Sequence, residues 1–347
     1  MEPTALDFFK RILETPSPSG YEGPLQEIIG NYVGAFADDV SIDVHGNLIA
    51  VVNPGAPRRL MLAGHCDQIG LIVRHIDEHG FLYVQAIGGW DPLQLIGQRM
   101  TVWTEGGPVF GVIARKPIHL LKDAEKEKVP KITDLWLDIG TSSREEAEAR
   151  VRIGDAVTAE LGYNEAANGR AVSPAMDDKA GAWVVVEAFR RVDRSRLDCS
   201  LYAVSTVQEE VGLRGAQTSS FGIDPHVGIA VDVTFASDCP TIEKKESGDI
   251  RLGRGPVIYR GPNMTPLVVD QLLAAAKAGN IPYQLAAEGR VGGTDAAAIQ
   301  VTRAGVATAL VSIPNRYMHS PVEMIALDDI DQAADLLARF AESLTLD

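Results

Sequence analysis

Apolar positions recur with a helical period in some segments of the chain and form short continuous runs in others. Residues 4–16 follow a helical pattern, which restarts at 25–33 after the stretch PSPSGYEG. LIAVVN and RLMLAGH then predict strands. After residue 163, strands and helices alternate through AGAWVVVEAFRRV, LYAVSTV, VGIAVDV, TPLVVDQLLAAAKAG, VATALVSI and DIDQAADLLARFAES. This alternation predicts an α/β fold with helices on both faces of a sheet.

The middle of the chain has a different pattern. From residue 70 to 162, short apolar runs with many glycines, such as FLYVQAIGGW and RMTVWTEGGPVFGVIA, predict a compact all-β unit. One short helix is expected at SSREEAEARV. We therefore expect an α/β domain formed by residues 1–69 and 163–347, split by an inserted β domain at 70–162.

The charge balance narrows the choice of partners. The chain has 47 acidic and 32 basic residues, a net charge of −15, which argues against nucleic acid or an anionic membrane as the main partner. Small substrates, including cationic ones, stay possible. The N-terminus has no signal-peptide pattern, no membrane span is predicted, and the odd, scattered Cys66, Cys199 and Cys239 indicate a reducing compartment. We expect a cytoplasmic protein.

Residues able to bind metals follow several of the predicted strands. LMLAGHCD carries His65 and Asp67, LYAVSTVQEE ends in Glu209 and Glu210, and VGIAVDV contains Asp232. Because ligands gather at the carboxyl ends of strands in open α/β sheets, we expect a single site. Adjacent residues of a strand point to opposite faces, so a shared role for the two glutamates requires a turn or a bulge.

Two further segments fit the same sheet edge. PAMDDKAG places Asp177 and Asp178 at the start of a helix, and ALVSIPNRYMHSP places His319 after a strand. Two histidines and several carboxylates form a donor set suited to zinc, cobalt or manganese. So many carboxylates cannot all ionise in one pocket unless cations neutralise them. The sequence therefore predicts bound metal ions.

Each of these residues also has an ordinary structural explanation. Adjacent acids commonly form a solvated face, and Asp177 with Asp178 could simply stabilise a helix start. A single histidine after a strand is more often structural than a ligand. Asp232 is harder to explain in this way, because an aspartate inside an apolar run needs a partner. The convergence of separate segments on one sheet edge favours the metal site.

A series of segments running in order from residue 63 to 325 carries a family resemblance. They are AGHCDQIG, GGWDPLQLIGQRM, KPIHLL, DIGTSSREEAE, AMDDKAG, VQEEVGLRGA, VDVTFASD, LGRGP, GGTDAAAI and MHSPVEMI. Together they resemble the tetrahedral aminopeptidases, cytosolic dinuclear metallopeptidases that include glutamyl aminopeptidases and proteins labelled as cellulases. VQEEVGLRGA with HSPVE is the most specific combination, and the resemblance covers nearly the whole chain.

The resemblance implies both a fold and a set of ligands. The fold is a three-layer α/β/α catalytic domain with a central mixed sheet, interrupted by a small β-barrel-like dimerisation domain. Each subunit would hold two divalent metal ions, zinc in the first place and cobalt or manganese as alternatives. Asp177 would bridge the ions, with His65 and Asp232 completing one site and Glu210 and His319 the other.

The resemblance also implies separate roles for the two glutamates. Glu209 would be the general base, which takes a proton from a metal-activated water and passes it to the leaving amine, while Glu210 binds metal. Asp67 would orient His65. The implied substrates are peptides, from which N-terminal residues are released.

Two positions depart from the family pattern. Cys66 and Gln68 stand where a bulkier apolar residue and a glutamate are more common in the family, which changes the local packing but leaves the ligands intact. A thiol at residue 66 would make the activity sensitive to oxidation. The peptide between Asp177 and Asp178 is expected to be cis, as the resemblance implies.

Other functions and the assembly stay open from the sequence. A deacylase of N-acyl amino acids or acyl-peptides could use the same dinuclear core, and a shell-forming scaffold could bind metal without catalysis. The resemblance implies a homo-oligomer, in which dimers build a tetrahedral dodecamer through the insert. Val102→Asp or Val109→Asp is expected to dissociate it wherever the side chain faces the partner.

Overall fold

The alternating strands and helices form a mixed sheet with helices on both faces. The computed structural model describes residues 1–345. Its helices are α1 (Pro3–Glu14), α2 (Gly23–Val33), α3 (Pro92–Leu95), α4 (Asp123–Lys126), α5 (Arg144–Glu148), α6 (Met176–Arg191), α7 (Arg214–Ile223), α8 (Lys244–Ser247), α9 (Pro266–Ala278), α10 (Asp295–Gln300) and α11 (Leu327–Ser343). No described helix is both long and apolar enough to cross a membrane.

The strands belong to an eight-stranded sheet, a closed barrel and a small three-stranded sheet. They are β1 (Asp39–Ile42), β2 (Leu48–Val52), β3 (Arg59–His65), β4 (Gly70–Ile76), β5 (Leu82–Ile87), β6 (Arg99–Thr104), β7 (Gly107–Ala114), β8 (Trp136–Asp138), β9 (Ala156–Ala159), β10 (Asn164–Ala166), β11 (Arg170–Ser173), β12 (Ser200–Thr206), β13 (Val227–Phe235), β14 (Val257–Arg260), β15 (Gln284–Ala287), β16 (Ala307–Asn315) and β17 (Glu323–Ala326).

The large sheet has the strand order β1-β2-β12-β3-β13-β16-β14-β15. Its central strands β12, β3, β13 and β16 run parallel, whereas β2 and β14 pair antiparallel with their central neighbours. Helices α6 and α11 pack on one face, and α7 and α10 cover the other. Parallel strands covered on both faces are apolar almost throughout, as β3 and β13 are. The predicted three-layer α/β/α fold with a central mixed sheet is confirmed.

A close approach of α6 to β3 brings the start of that helix to the edge of the sheet. A Cβ atom added at Gly64 would lie 2.6 Å from the carbonyl carbon of Gly181, so only glycine fits there. His65, the last residue of β3, therefore lies beside the first turn of α6. The two segments are far apart in the chain, and this packing joins them.

The predicted β insert forms a closed barrel with the strand order β4-β5-β8-β7-β6-β9. It has a hydrophobic core of its own, separate from the core around the large sheet. Helix α5 lies within SSREEAEARV, as predicted. The barrel strands run from Gly70 to Ala159. The domain limits at 70 and 162 stay a prediction that agrees with this arrangement.

Of the two residues expected from the sequence to form an interface on the barrel, Val102 needs correction and Val109 stays a prediction. Val102 is fully buried in the barrel core, and Val109 packs partly against that core. Val102 therefore does not face a partner, and an aspartate there would place an unpaired charge in the core and damage the fold. Phe110, the next residue on β7, is 62% exposed and is the better probe of this surface.

Candidate metal centre

The two adjacent glutamates follow a turn at the end of β12. The strand ends at Thr206, and Gln208 adopts a left-handed conformation with a φ of 56°. This turn takes Glu209 and Glu210 out of the strand alternation, so both side chains face the same cavity. The turn that a shared role requires is present.

Asp177 lies between the two histidines. Its Oδ1 is 3.2 Å from Nε2 of His65, and its Oδ2 is 3.2 Å from Nε2 of His319. The peptide between Asp177 and Asp178 is cis, as predicted. One carboxylate therefore faces both histidines with separate oxygens, which is the arrangement a bridging ligand requires.

The side chains around these three residues form two groups of possible metal ligands. The ligand atoms within each group lie within 4.8 Å of one another. The first group is His65, Glu209 and Asp232, and the second is Asp177, Glu210 and His319. The structure thus brings together all the ligands predicted from the sequence. It also places Oε2 of Glu209, the predicted base, 3.8 Å from Nε2 of His65, so Glu209 is close enough to act as a metal ligand as well.

The chemistry of the cluster fits divalent cations. Imidazole nitrogens and carboxylate oxygens are the donors, and most of these side chains are almost fully buried. The Oε1 atom of Glu210 is buried without a hydrogen-bond partner in the described chain, although it lies 3.4 Å from Nε2 of His319. No lysine or arginine among the described residues lines the cavity to neutralise the acids. Metal ions would supply the positive charge that neutralises the acids and a partner for Oε1 of Glu210.

The pKa directions in the cluster reflect the crowding of acids. Burial, together with the negative charges of Asp232 and other nearby acids, raises the pKa of Glu209 to about 10. Burial also opposes ionisation of Asp177, but hydrogen bonds from His319 and His65 outweigh it and lower the pKa of Asp177. A bound cation would lower the pKa of every carboxyl beside it, so metal and ionised acids favour each other.

Asp67 lies behind the cluster and is completely buried. Its carboxylate oxygens accept hydrogen bonds from the backbone amides of Glu209 and Glu210, at 3.0 and 3.2 Å, and from the hydroxyl of Ser19 at 2.7 Å. Its Oδ1 is 3.5 Å from Nδ1 of His65. Asp67 therefore connects His65 to the loop that carries both glutamates. The role predicted from the sequence is limited to orienting His65, whereas the structure adds contacts with the backbone of Glu209 and Glu210.

Two further buried acids support the cluster, and the sequence alone gives neither of them a role. The carboxylate of Glu323 accepts hydrogen bonds from the backbone amides of Asp177 and His319, at 2.9 and 2.7 Å. The carboxylate of Asp295 accepts a hydrogen bond of 2.6 Å from Thr206 at the end of β12. Both acids are buried. For Glu323 the motif MHSPVEMI contains the signal, since an acid four residues after the proposed ligand His319 in a buried segment needs a partner. The motif GGTDAAAI has no proposed ligand beside Asp295 and gives no such signal.

The two departures from the family pattern lie side by side beneath the cluster. Cys66 is fully buried, and burial raises the pKa of its thiol. The sensitivity to oxidation stays a prediction, and the burial of Cys66 argues against it, because a reactive thiol is exposed and has a low pKa. Gln68 accepts a hydrogen bond of 2.7 Å from Nζ of the buried Lys179, which also donates to the carbonyl of Thr15 at 2.6 Å. The partner of the buried Lys179 is thus the neutral side-chain amide of Gln68, at a position where the family more often has a glutamate.

Comparison with known proteins identifies the family. The family model described as M42 glutamyl aminopeptidase matches residues 46–336. A lysyl aminopeptidase from Pyrococcus furiosus is 41% identical over 344 residues, and the match covers 97% of each chain. The chain belongs to the M42 peptidase family. The family predicted from the sequence motifs is confirmed.

Solved structures of TET peptidases have the same fold. The TET aminopeptidase of a marine sediment Thaumarchaeota archaeon matches with a TM-score of 0.94 at 35% identity, covering 99% of this chain and 98% of that one. The TET1 peptidase of Pyrococcus horikoshii matches with a TM-score of 0.87 at 31% identity, covering 98% and 100%. That peptidase can assemble into a tetrahedron or a large octahedral shell.

Proposed function

We propose that the protein is a metal-dependent aminopeptidase that holds two divalent cations. The observation that carries this proposal is the position of Asp177, whose two carboxylate oxygens each lie 3.2 Å from a different histidine. Membership of the M42 family and the aminopeptidase names of its relatives support the reaction class.

The ligands would be divided as the sequence motifs imply. His65 and Asp232 would hold one cation, Glu210 and His319 the other, and Asp177 would contact both. When bound, such cations polarise a substrate carbonyl and lower the pKa of a water molecule. Zinc suits this donor set best, and cobalt or manganese would also fit it.

The protein itself would supply proton transfer and positioning. Glu209, almost buried beside His65, would accept a proton from the attacking water and deliver it to the leaving amine. Asp67 would hold the glutamate loop through its two backbone amides. Glu323 would fix Asp177 and His319 relative to each other, because its carboxylate accepts hydrogen bonds from the backbone amides of both residues.

The proposal is tested by removing metal with a chelator and restoring zinc, cobalt or manganese separately. Aminoacyl anilides should be cleaved only after metal is restored, and N-acetylated leucine anilide should be cleaved far more slowly than the free form. Preference for the N-acetylated substrate would identify a deacylase instead. Two bound metals without turnover of any substrate would favour a scaffold.

We also propose that the barrel forms a dimer interface within a larger homo-oligomer. Phe110 on β7 is 62% exposed, which suits an apolar contact. Phe110→Asp is expected to reduce the mass measured by light scattering to that of a smaller assembly, without loss of the fold by circular dichroism. Phe221→Asp, at a phenylalanine that is 58% exposed on α7, is the matched control. Dissociation by Phe221→Asp alone would assign assembly to the α/β part.

A further inference from the structure

The cavity beside the ligand cluster has an apolar wall. Its volume is about 330 Å³, which accommodates one amino-acid side chain together with the reacting peptide group. Five apolar residues beyond the cluster line it: Val233, Phe235, Met264, Leu310 and Met318. This wall suits the methylene groups of a long side chain.

The same cavity also contains polar groups that lack partners. Asn263 is 2% exposed, and neither its amide oxygen nor its amide nitrogen has a hydrogen-bond partner within the described chain. The hydroxyls of Ser312 and Thr294 are buried and unpaired in the same way. All three residues line the cavity. Because buried polar groups are nearly always satisfied, their missing partner is a polar ligand or the water that it replaces.

One carboxylate outside the metal cluster lines this cavity. Glu288 directly follows β15, and its backbone amide donates a hydrogen bond of 2.9 Å to the carbonyl of Arg260. A Cβ atom added at Gly261 would lie 2.1 Å from the carbonyl oxygen of Glu288, so the two chain segments touch. Burial raises the pKa of Tyr259, another lining residue, and the negative charge of Glu288 contributes to the shift. The backbone of Glu288 is therefore held beside the cavity, and its side chain is exposed to an entering substrate.

The charges around the cavity discriminate between substrates. Apart from the two histidines of the cluster, no described lining residue is cationic, and Arg290 of the neighbouring loop is exposed without lining the cavity. An acidic substrate side chain would meet Glu288 without a lysine or arginine side chain to compensate its charge. A cationic side chain would gain the carboxylate of Glu288 as a charged partner, and its terminal group would find hydrogen-bond acceptors in the cavity. The described cavity thus lacks the lining that a glutamyl preference requires.

We propose that the enzyme prefers peptides whose N-terminal residue is basic and long, such as lysine, and that Glu288 determines this specificity. The apolar wall would contact the methylene groups, and Glu288 with the side-chain amide oxygen of Asn263 would face the ammonium group. This inference rests on the proposed aminopeptidase function, whose site it extends to the substrate side chain.

The test compares lysine with norleucine, which has a similar apolar stem but no ammonium group. With the metal-loaded enzyme, kcat/KM for lysyl anilide is expected to exceed that for norleucyl anilide by about tenfold or more, the size of one charged hydrogen bond. Glutamyl anilide should be the poorest of the three. Glu288→Gln should remove most of the lysyl preference, because it should lower kcat/KM for lysyl anilide far more than kcat/KM for norleucyl anilide.

Glu27→Gln on α2 is the matched control, because it removes the same charge from an exposed residue outside the cavity. It should leave all three rates unchanged. A wild-type preference for glutamyl anilide, or an equal loss on lysyl and norleucyl anilides in Glu288→Gln, would overturn the inference. If the metal-loaded protein cleaves no aminoacyl anilide at all, the proposed function fails and this inference fails with it. Competition by free lysine and free norleucine provides a second measure of the preference.

Discussion

Glu209→Gln is expected to retain two metal ions per chain and to lose activity by about 10²–10⁴-fold, the usual contribution of a general base. The amide has the shape of the carboxyl group but cannot accept the proton that the attacking water must lose. The carboxylate of Glu209 lies beside His65 in a nearly buried position, where bulk water cannot readily take over that role. The measurement is kcat at saturating substrate together with elemental analysis of the purified variant.

The metal content separates two roles for Glu209. Its carboxylate also belongs to a group of possible ligands with His65 and Asp232. If Glu209 were a ligand, the amide variant would lose metal along with turnover, and the base assignment would fail. Retention of more than half the activity would exclude the residue from either role. Glu27→Gln is again the charge-matched control.

The central sheet is predictable from the sequence because its parallel strands are buried on both faces. Runs such as RLMLAGH and VGIAVDV stand out as apolar segments that stop at polar residues, and these are β3 and β13. The carboxyl ends of parallel strands share one edge, so the sequence pattern by itself places His65 and Asp232 together. The family motifs imply the remaining proposed ligands, whose side chains the fold brings into the same cluster.

Other features are not predictable in this way because they depend on register or on contacts between distant segments. In RMTVWT the alternation alone does not say which face of β6 points inward. The choice of Val102 as a surface residue is therefore wrong, because Val102 lies in the barrel core. The hydrogen bonds of Glu323 to two backbone amides follow from the path of the chain around Asp177. The unpaired amide of Asn263 has no periodic signal either, since it lies in an irregular segment between β14 and α9.

Asp177→Ala is expected to lose bound metal as well as activity, in contrast to Glu209→Gln. The two oxygens of Asp177 face His65 and His319 at 3.2 Å each, so its removal deprives both proposed cations of one ligand. Changes to residues behind a metal ligand already cost roughly 10–100-fold in metal affinity. Loss of a shared ligand should therefore weaken binding by more than about 100-fold, as measured by competition with a chromogenic chelator.

The same variant also distinguishes a shared ligand from a ligand of one ion. His319→Ala should weaken one cation more than the other, because His319 is proposed as a ligand of one ion only, whereas Asp177 also lies 3.2 Å from His65 of the other group. Asp177→Ala should weaken both cations. Asp7→Ala, at an exposed residue of α1, controls for the loss of an aspartate elsewhere. Circular dichroism should show that each variant is folded before its metal content is compared. Two tightly bound metals per chain in folded Asp177→Ala would refute the bridging role, since no other carboxylate in the two ligand groups faces both histidines in this way.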